Sequence, residues 1–400
     1  MKLIKSTLCM RALSLLSLIF LMALLLGQQA QAKRLVNLYT LSSQVADTSD
    51  EQRVVVANVL LRELLIRVSG TERVLKKMPP EDFAQTPELY SESPDFELWT
   101  EFTSAQRLIN QYSYTPINGG NSQQLELTFD EAGVKQLLLR LKAPLWDANR
   151  PKVLFLIALE GRGGRTIITP ESNLPLSKVL INQSEKRGIP YLLPDFALHP
   201  ASGTLFSDIW GGFSQQILIA SKPYEADAVA VGKVRVVGGY WRTEWLLLTG
   251  TSSTKHTASV ANLREAFQEG VNFTAEELSN RYASQSSQGA GIYQVMVSNV
   301  QQVHDYAAIH DYLNNLSLTS QVRVMHSADQ RILFEVTLRG NLDQLRVNLT
   351  LDNRLKEESF LGFQQSTGYP VESVADQKND LKQNNAKVKQ ADAYFRWQAN

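Results

Sequence analysis

The stretch VAVGKVRVVGGYWRTEWLLL, residues 229–248, determines the fold at the centre of this 400-residue chain. Apolar and polar residues alternate on both sides of Gly238-Gly239, which is the pattern of two antiparallel strands joined by a two-residue turn. Counting outward from the turn places Gly232 opposite Trp245. We expect that face of the hairpin to lie in the core, because the glycine leaves room for the indole.

The opposite face of the same hairpin carries charge. Lys233 falls opposite Glu244, whereas Arg235 falls opposite Arg242, with Tyr240 beside them. Like charges directly opposite one another destabilise a sheet unless something compensates them. Two interpretations stay open. Either the arginines extend into solvent with Glu244 on the diagonal, or Arg235, Arg242 and Tyr240 form a docking patch for a carboxylate-bearing partner or an anionic envelope polymer.

The rest of the chain predicts a mixture of α+β and α/β modules, each built on a small mixed sheet. Continuous apolar runs indicate buried strands, and capped amphipathic runs indicate helices. The last module has the β-α-β-β-α order of the ferredoxin-like split motif. The predicted segments are a signal peptide (1–32), an N-terminal α+β module (33–146), an α/β module with the Gly-Gly hairpin (150–282), a linker (283–291), the ferredoxin-like module (292–355) and a disordered tail (370–400).

Four local predictions can be checked against the fold. A strand is expected over 35–41, and a long apolar helix after Thr48 is expected to end at Gly70. A second helix is expected to run from Trp99 through Tyr112. Within the tail, the aromatic stretch Tyr394-Phe395-Arg396-Trp397 is an exception that either packs back on the protein or contacts a partner.

The first 32 residues have the three parts of a cleaved secretory signal. Lys2, Lys5 and Arg11 form a positive leader, residues 13–26 form an apolar core, and Ala30-Gln31-Ala32 supplies small residues for cleavage after Ala32. The only cysteine, Cys9, precedes the apolar core, so it cannot carry a lipid anchor. A mature chain without cysteine has no disulfide and no thiol chemistry, which favours the bacterial periplasm.

Charge and hydropathy argue against a nucleic-acid partner and against a transmembrane segment. The full chain has 40 basic and 40 acidic side chains; without Lys2, Lys5 and Arg11 it has 37 and 40, a net charge of −3. No basic stripe of the kind that releases phosphate counterions is evident, so we do not expect a nucleic-acid partner. No second apolar run reaches the length of a bilayer, so we expect no transmembrane segment after signal cleavage.

The search for catalytic chemistry yields only weak candidates. The loop EGRGGR offers Arg162 and Arg165 to an anion, although a plain glycine turn is the simpler interpretation. Glu160 and Asp195 lie near the ends of predicted strands, where ligands bind in open α/β sheets. The chain has no G-x-S-x-G, H-E-x-x-H or dinucleotide motif. We therefore expect no cofactor.

Histidine does not predict a metal site. His304 and His310 share a predicted helix but are six residues apart, whereas helical metal ligands are spaced by three or four. We expect these histidines to be solvated or partly packed, and the other three have no ligand-like neighbours in sequence.

Several motifs together resemble a known family. The chain contains RVSGTERVL (67–75), INQYSY (109–114), APLWDANRPKVLFLIALEG (143–161), RGIPYLLPD (187–195) and DIWGG (208–212), followed by the hairpin. In this order they resemble the exported Gram-negative proteins known as domain of unknown function 2066, over residues 35–250. The resemblance implies export and no activity. More distantly, 151–282 is similar to the amino-terminal domain of TolB and to the middle domain of the flagellar T-ring protein, which implies assembly or docking.

The sequence therefore favours a periplasmic, non-enzymatic binding or envelope-assembly protein, whose partner is another envelope protein or an anionic envelope polymer. One alternative is an envelope hydrolase that uses carboxylates such as Glu160 and Asp195. The other is a small-ligand sensor with a pocket between the first two modules. Carboxylates that converge in a deep pocket would favour the enzyme, and an exposed arginine or apolar patch would favour docking.

Overall fold

The Gly-Gly hairpin lies at the centre of the largest of three separate sheets in this mixed α+β protein. The structure, a computed structural model, describes residues 38–398 with gaps at 81, 84–85, 102–104, 121, 162, 172–173, 198–199, 201–202, 251, 285–290, 352–353, 361 and 364–390. The signal peptide with Ala32 lies outside these residues, as do Arg162 and His199.

The large sheet has the order β5-β4-β7-β8-β9, and β6 also pairs with β4. Its strands are β4 (Val153–Gly161), β5 (Gly164–Ile167), β6 (Tyr191–Leu192), β7 (Ala228–Val237), β8 (Tyr240–Thr249) and β9 (Ser252–Val260). Strands β4 and β7 are parallel, and β7, β8 and β9 form an antiparallel meander. Every residue from Val153 to Leu159 is buried, as the apolar run predicts for a strand covered on both faces.

Helices cover both faces of this sheet. On one face lie α4 (Leu174–Arg187) and α7 (Leu263–Tyr282), which share a core with Phe155, Val234 and Trp245. On the other face lie α5 (Leu205–Gly211) and α6 (Ser214–Ser221). Gly212 separates these two helices, because its φ of +72° is left-handed and ends α5.

The predicted register of the hairpin is confirmed. Gly232 pairs with Trp245, and Arg235 pairs with Arg242. The indole of Trp245 is 1% exposed, and a Cβ on Gly232 would lie 2.7 Å from it. The sequence analysis did not identify a second glycine: Gly270 on α7 closes the other side of the ring, where a Cβ would lie 2.0 Å from it.

The first sheet has three strands in the order β1-β3-β2, namely β1 (Thr40–Val45), β2 (Ile109–Ile117) and β3 (Ser122–Phe129). It packs on α1 (Asp50–Ser69) and α3 (Glu131–Arg140). The predicted helix from Trp99 through Tyr112 is wrong over its second half. Helix α2 spans only Phe96–Glu101, and Tyr112 lies on β2, where the whole strand pairs antiparallel with β3. Of the predicted strand 35–41, residues 38–39 form a turn and Thr40 begins β1, while 35–37 lie outside the described residues.

The third sheet has the order β11-β12-β10-β14-β13. Its elements follow the chain as β10 (Gly291–Ser298), α8 (Val303–Asn314), β11 (Thr319–Ala328), β12 (Arg331–Leu338), α9 (Leu342–Thr350), β13 (Leu355–Glu358) and β14 (Ala393–Trp397). The predicted β-α-β-β-α order is present. The prediction of a disordered tail is wrong at β14, which inserts between β10 and β13 and buries Phe395 and Trp397. Residues 364–390 lie outside the described part of the chain.

The predicted linker 283–291 is also wrong at its ends. Ala283 and Ser284 are buried, and Ser284 exchanges two backbone hydrogen bonds with Leu145 at 2.9 and 3.0 Å. Gly291 begins β10. Apolar Ala283 and the pairing with Leu145 fix this end of the segment, which its polar composition did not indicate.

The segment 143–150 joins all three sheets. The side chain of Trp146 packs in the core of the large sheet, and its backbone N–H donates to the carbonyl of Val68 at the end of α1. The carboxylate of Asp147 accepts the N–H of Ser317, just before β11, at 2.5 Å. The side-chain amide of Asn149 contacts the hydroxyl of Tyr312 on α8 at 3.4 Å. The modules are therefore packed on one another through this segment.

Arg150 is the last residue of this segment, and its buried guanidinium is held by hydrogen bonds. Its guanidinium donates to five backbone carbonyls at 2.8–3.1 Å, those of Arg67, Trp146, Asp147, Arg187 and Gly188. Two of these carbonyls, those of Arg187 and Gly188, lie at the carboxyl end of α4, and that of Arg67 lies in the last turn of α1. At both places the helix dipole favours a positive charge. Burial lowers the pKa of Arg150 to about 9, which leaves it charged at neutral pH.

The carboxyl end of α1 takes its hydrogen-bond partners from distant parts of the chain. The carbonyl of Ser69 accepts from Ser279 on α7 at 2.7 Å, and that of Gly70 accepts from Arg187 on α4 at 2.8 Å. Gly70 has a φ of +74°, as the predicted cap requires, and a Cβ there would meet Ser279 and Trp146 within 2.6 Å. The motifs at 67–75, 143–161 and 187–195 thus meet at one structural junction.

Candidate functional site

A row of charged side chains crosses four strands of the large sheet on the face that carries α5 and α6. Arg165 on β5 pairs with Glu160 on β4, Glu160 pairs with Arg235 on β7, and Arg235 pairs with Arg242 on β8. Directly paired residues share a face, and neighbouring strands lie about 4.8 Å apart. The structure therefore places residues from three separate predictions, the docking patch, the anion loop and the carboxylates, in a single row.

Positive charge dominates this face, which we call the basic face. The next two rows add Lys233, Glu244 and Lys255 to it. Glu160 binds Arg165 at 2.8 Å, and Glu244 lies 3.7 Å from both Lys233 and Arg235. The diagonal Arg235–Glu244 pair is the compensation that the sequence analysis considered. Five cations thus face two carboxylates, and within the described part of the chain the guanidinium of Arg242 forms no ion pair or hydrogen bond.

The basic face is open because helices α5 and α6 cover only half of the strands. Leu154, Leu156, Val229 and Val231 pack beneath these helices, whereas the following half of each strand is polar. At the boundary, the rings of Phe206 and Trp210 stack with centroids 5.2 Å apart, and the guanidinium of Arg165 lies 5.7 and 5.9 Å from them. The arginine row therefore ends against an aromatic pair.

Two clusters of exposed apolar side chains flank the basic face. At the hairpin turn, Val237 and Tyr240 form the next pair on the side of Arg235 and Arg242, and they are 45% and 61% exposed. On α6 and the residue that caps it, Ile219 and Phe213 are each 56% exposed. Tyr240 thus lies next to the arginine row, as its position opposite Val237 predicted. Exposed apolar side chains next to a charged surface are a feature of protein contact sites.

The predicted anion loop is a hairpin connection. Gly161 pairs with Gly164 across the β4–β5 turn, and Gly164 has a φ of +100°, which explains the glycine. Arg162 lies outside the described residues. Arg165 does not point into a phosphate-binding loop but belongs to the row on the basic face.

The two carboxylates proposed for a hydrolase are held by separate local contacts. Glu160 is 36% exposed in its side chain and binds Arg165. Asp195 accepts the N–H of Ala197 at 2.9 Å, which is an Asx turn after β6. Strand β6 pairs with the beginning of β4, at Val153 and Leu154, whereas Glu160 lies at the other end of β4. The structure does not bring the two carboxylates together.

The four described histidines are exposed or partly exposed and do not form a ligand cluster. His304 and His310 are both on α8, and each lies near the aspartate that follows it, at 3.4 and 3.9 Å. His256 on β9 contacts Glu269 of α7 and stacks on Phe273 at 5.1 Å, a contact that no sequence spacing indicated. Burial raises the pKa of Glu269, and His256 opposes that shift. Over the described residues, no group of three metal-ligating side chains occurs.

A cleft of about 480 Å³ lies in the third sheet, between the start of α8 and the β11–β12 turn; its lining includes Val303, Tyr306, Val324 and Ile332. The sensor hypothesis predicted a pocket elsewhere, between the first two modules. At the contact between α1 and α4, Arg150 and Trp146 fill the space, with 3% and 1% of their surfaces exposed. The junction there is occupied by side chains.

No helix in the described ranges has the length and apolar character needed to cross a membrane. Comparison of the chain with protein-family models, with curated proteins and with solved structures finds no match. The resemblance to domain of unknown function 2066 therefore stays a prediction, and the functional argument depends on the basic face itself.

Proposed function

We propose that this protein is a non-enzymatic docking protein of the bacterial envelope, which binds an acidic surface of a partner protein through its basic face. The observation that carries the proposal is the excess of positive charge on this face: the Arg165–Glu160–Arg235–Arg242 row has three arginines and one carboxylate, and with the next two rows the face has five cations and two carboxylates. Glu244 compensates Arg235, so an acidic partner would supply the ion pair that the side chain of Arg242 lacks within the described residues.

The composition of the surface favours a protein partner over an anionic polymer. Arginine, tyrosine and tryptophan are the residues that contribute most at protein interfaces, and Arg235, Arg242, Tyr240 and Trp210 lie on or beside this face. Exposed Val237 and Phe213 add apolar surface that a polyanion would not use. The polymer is the alternative that the experiment below must distinguish.

Binding is favoured over hydrolysis because Glu160 and Asp195 are engaged separately, one by Arg165 and the other by an Asx turn. A two-carboxylate mechanism requires the two groups to converge on one substrate. Binding is favoured over small-ligand sensing because Arg150 and Trp146 occupy the junction where the sensor pocket was expected.

The finer fold and the compartment are part of the same proposal. The neighbours β13-β14-β10-β12-β11 support a ferredoxin-like split motif into which β14 is inserted. The parallel β4–β7 pair followed by a hairpin supports a likeness of the large sheet to the amino-terminal domain of TolB. Sequencing the amino terminus of protein recovered from the periplasm tests the export signal, and we expect it to begin at Lys33.

Affinity capture tests the proposal. The mature protein and its Arg235→Glu/Arg242→Glu variant are immobilised and exposed to envelope extract, and retained proteins and polysaccharides are quantified. The control is Lys178→Glu/Lys356→Glu, which makes the same change of net charge at two exposed lysines on other surfaces. We expect an acidic protein to be retained by the wild type and the control and lost from the arginine variant. Equal retention by all three, or a polysaccharide in place of the protein, would contradict the proposal.

A further inference from the structure

Strand β9 is an open edge of the sheet that carries the basic face. It pairs with β8 over nine residues, Ser252–Val260, and stands last in the order β5-β4-β7-β8-β9. Within the described residues no strand pairs with its outer side. The strand contains no proline and its register with β8 has no bulge, two of the devices by which edges are commonly blocked.

The turn that precedes β9 determines which of its backbone N–H and C=O groups face away from β8. Two residues separate Thr249 from Ser252, so this pair is hydrogen-bonded, and such pairs alternate with non-bonded ones along an antiparallel ladder. The N–H and C=O groups that face away from β8 are therefore those of Ser253, Lys255, Thr257 and Ser259.

The side chains of these same residues lie on the basic face. Ser259 pairs with Arg242, Thr257 pairs with Glu244, and Lys255 pairs with Leu246. A strand added to β9 would therefore place every second side chain beside Lys255 and on the rows of Glu244 and Arg242. A residue opposite Ser259 would be two strand spacings, about 10 Å, from Arg242 at the backbone, which a glutamate and an arginine side chain span together.

We propose that the partner adds an extended segment to β9, with acidic residues at the alternate positions that face the basic face. This inference rests on the proposed function, because it uses the same cations. The open backbone groups supply main-chain hydrogen bonds, and the charge of the face selects the side chains of the added strand. Lys255, in the middle of the edge, disfavours basic strands and pairing of two copies of β9, and so acts as a selective element.

A defined peptide tests the inference. The probe is a ten-residue peptide of alternating Glu and Thr with both termini capped, and the control peptide has Lys in place of Glu. Binding to the mature protein is followed by fluorescence anisotropy, and hydrogen exchange is measured at the β9 amides. We expect the Glu peptide to bind and to protect the amides of Ser253, Lys255, Thr257 and Ser259, and the Lys peptide not to bind.

The key variant is Thr257→Pro. Proline at this position removes one outward N–H and blocks the edge, while the hydrogen bonds to β8 are made by its neighbours. We expect the variant to bind the Glu peptide at least ~10-fold more weakly, a loss of about 1.4 kcal/mol. Thr257→Val retains the open edge and should bind like the wild type. Lys255→Glu, which leaves the backbone unchanged, should also weaken binding.

The outcomes separate this inference from the proposed function. One outcome is that Arg235→Glu/Arg242→Glu weakens peptide binding, Thr257→Pro does not, and the peptide leaves the exchange of the β9 amides unchanged. The partner then docks on the basic face without strand addition, and only the present inference fails. If neither the arginine variant nor the edge variants change binding, both proposals fail. If Thr257→Pro does not fold, the exchange pattern of the wild type with the two peptides decides the question.

Discussion

Replacing Arg150 by methionine should destabilise the whole protein, although Arg150 is far from the basic face. The guanidinium donates to five backbone carbonyls and lies 4.2 Å from the ring of Trp146. Methionine fills similar volume but donates nothing, so the carbonyls at the ends of α1 and α4 lose a buried partner. Each buried acceptor left without one costs about 1–3 kcal/mol.

The losses do not add fully, because removing the cation also removes its own desolvation cost and because some carbonyls will find water. The expected net loss is that of breaking a buried charged network, about 3–5 kcal/mol. This is a large part of the usual stability of about 5–15 kcal/mol. Urea unfolding monitored by tryptophan fluorescence measures it, with Arg242→Met as the control, an exposed arginine whose loss should cost less than about 0.5 kcal/mol.

The reasoning would be refuted if Arg150→Met unfolds within about 1 kcal/mol of the wild type. That result would mean that the five carbonyls are satisfied by water in the folded protein, and that segment 143–150 does not hold the three sheets together. Arg150→Lys is the informative intermediate. A lysine retains the charge but has three donors on one nitrogen, so it should restore only part of the lost stability.

Three further predictions concern the packing. Gly270→Ala should destabilise the protein by about 1–3 kcal/mol despite alanine's better helix propensity, because its Cβ would lie 2.0 Å from Trp245; Trp245→Phe in the same chain should recover part of the loss in urea unfolding. Deleting residues 391–400 should leave the third sheet unfolded, since β14 lies between β10 and β13; loss of protection from hydrogen exchange at β10 measures this, and full protection without β14 would contradict it. The last of these predictions concerns the pKa of Asp305. Burial alone would raise this pKa, but hydrogen bonds from the N–H groups of Gln302 and Gln301 and from the indole of Trp397 hold it below its ordinary 3.8. The ionised Asp305 therefore stabilises the folded protein fully above about pH 4, and this contribution is lost as the pH falls through the lower pKa of the folded state. Acid titration of Trp397 fluorescence should show the loss, and the loss should be absent from Asp305→Asn.

The sequence was most informative where local chemistry and tertiary packing agree. The Gly-Gly turn fixes the register of β7 and β8, so the pairings of Gly232 with Trp245 and of Arg235 with Arg242 follow from counting. The left-handed cap at Gly70 was predictable for the same reason. The βαββα order of the third sheet also follows from periodicity, because each of its strands and helices has its own apolar face.

The errors occur where a distant partner overrides local pattern. Residues 109–112 have helical spacing of apolar residues, but β3 offers a full antiparallel partner and makes the segment a strand. The stretch at 393–397 follows a long polar region, yet its aromatic residues are buried between β10 and β13. Pairing across about 100 residues of sequence leaves no local signal.

The candidate site was predicted in parts but not as a whole. Arg235 and Arg242 were placed opposite one another from the turn, whereas the addition of Glu160 and Arg165 to their row depends on the parallel pairing of β4 with β7. That pairing connects segments separated by α4, α5 and α6, so spacing does not reveal it. The open edge at β9 was missed because its polar sequence, SSTKHTASV, gives no apolar alternation.

Site-specific photocrosslinking in living cells tests the docking claim most directly. A photoreactive amino acid replaces Arg242 in one strain and Lys178, on the opposite side of the sheet, in another. The account predicts that position 242 forms a covalent adduct with one acidic envelope protein, that position 178 does not, and that the adduct disappears when Arg235→Glu is added. Equal adducts at both positions, or none at 242 in cells that express the folded protein, would contradict it.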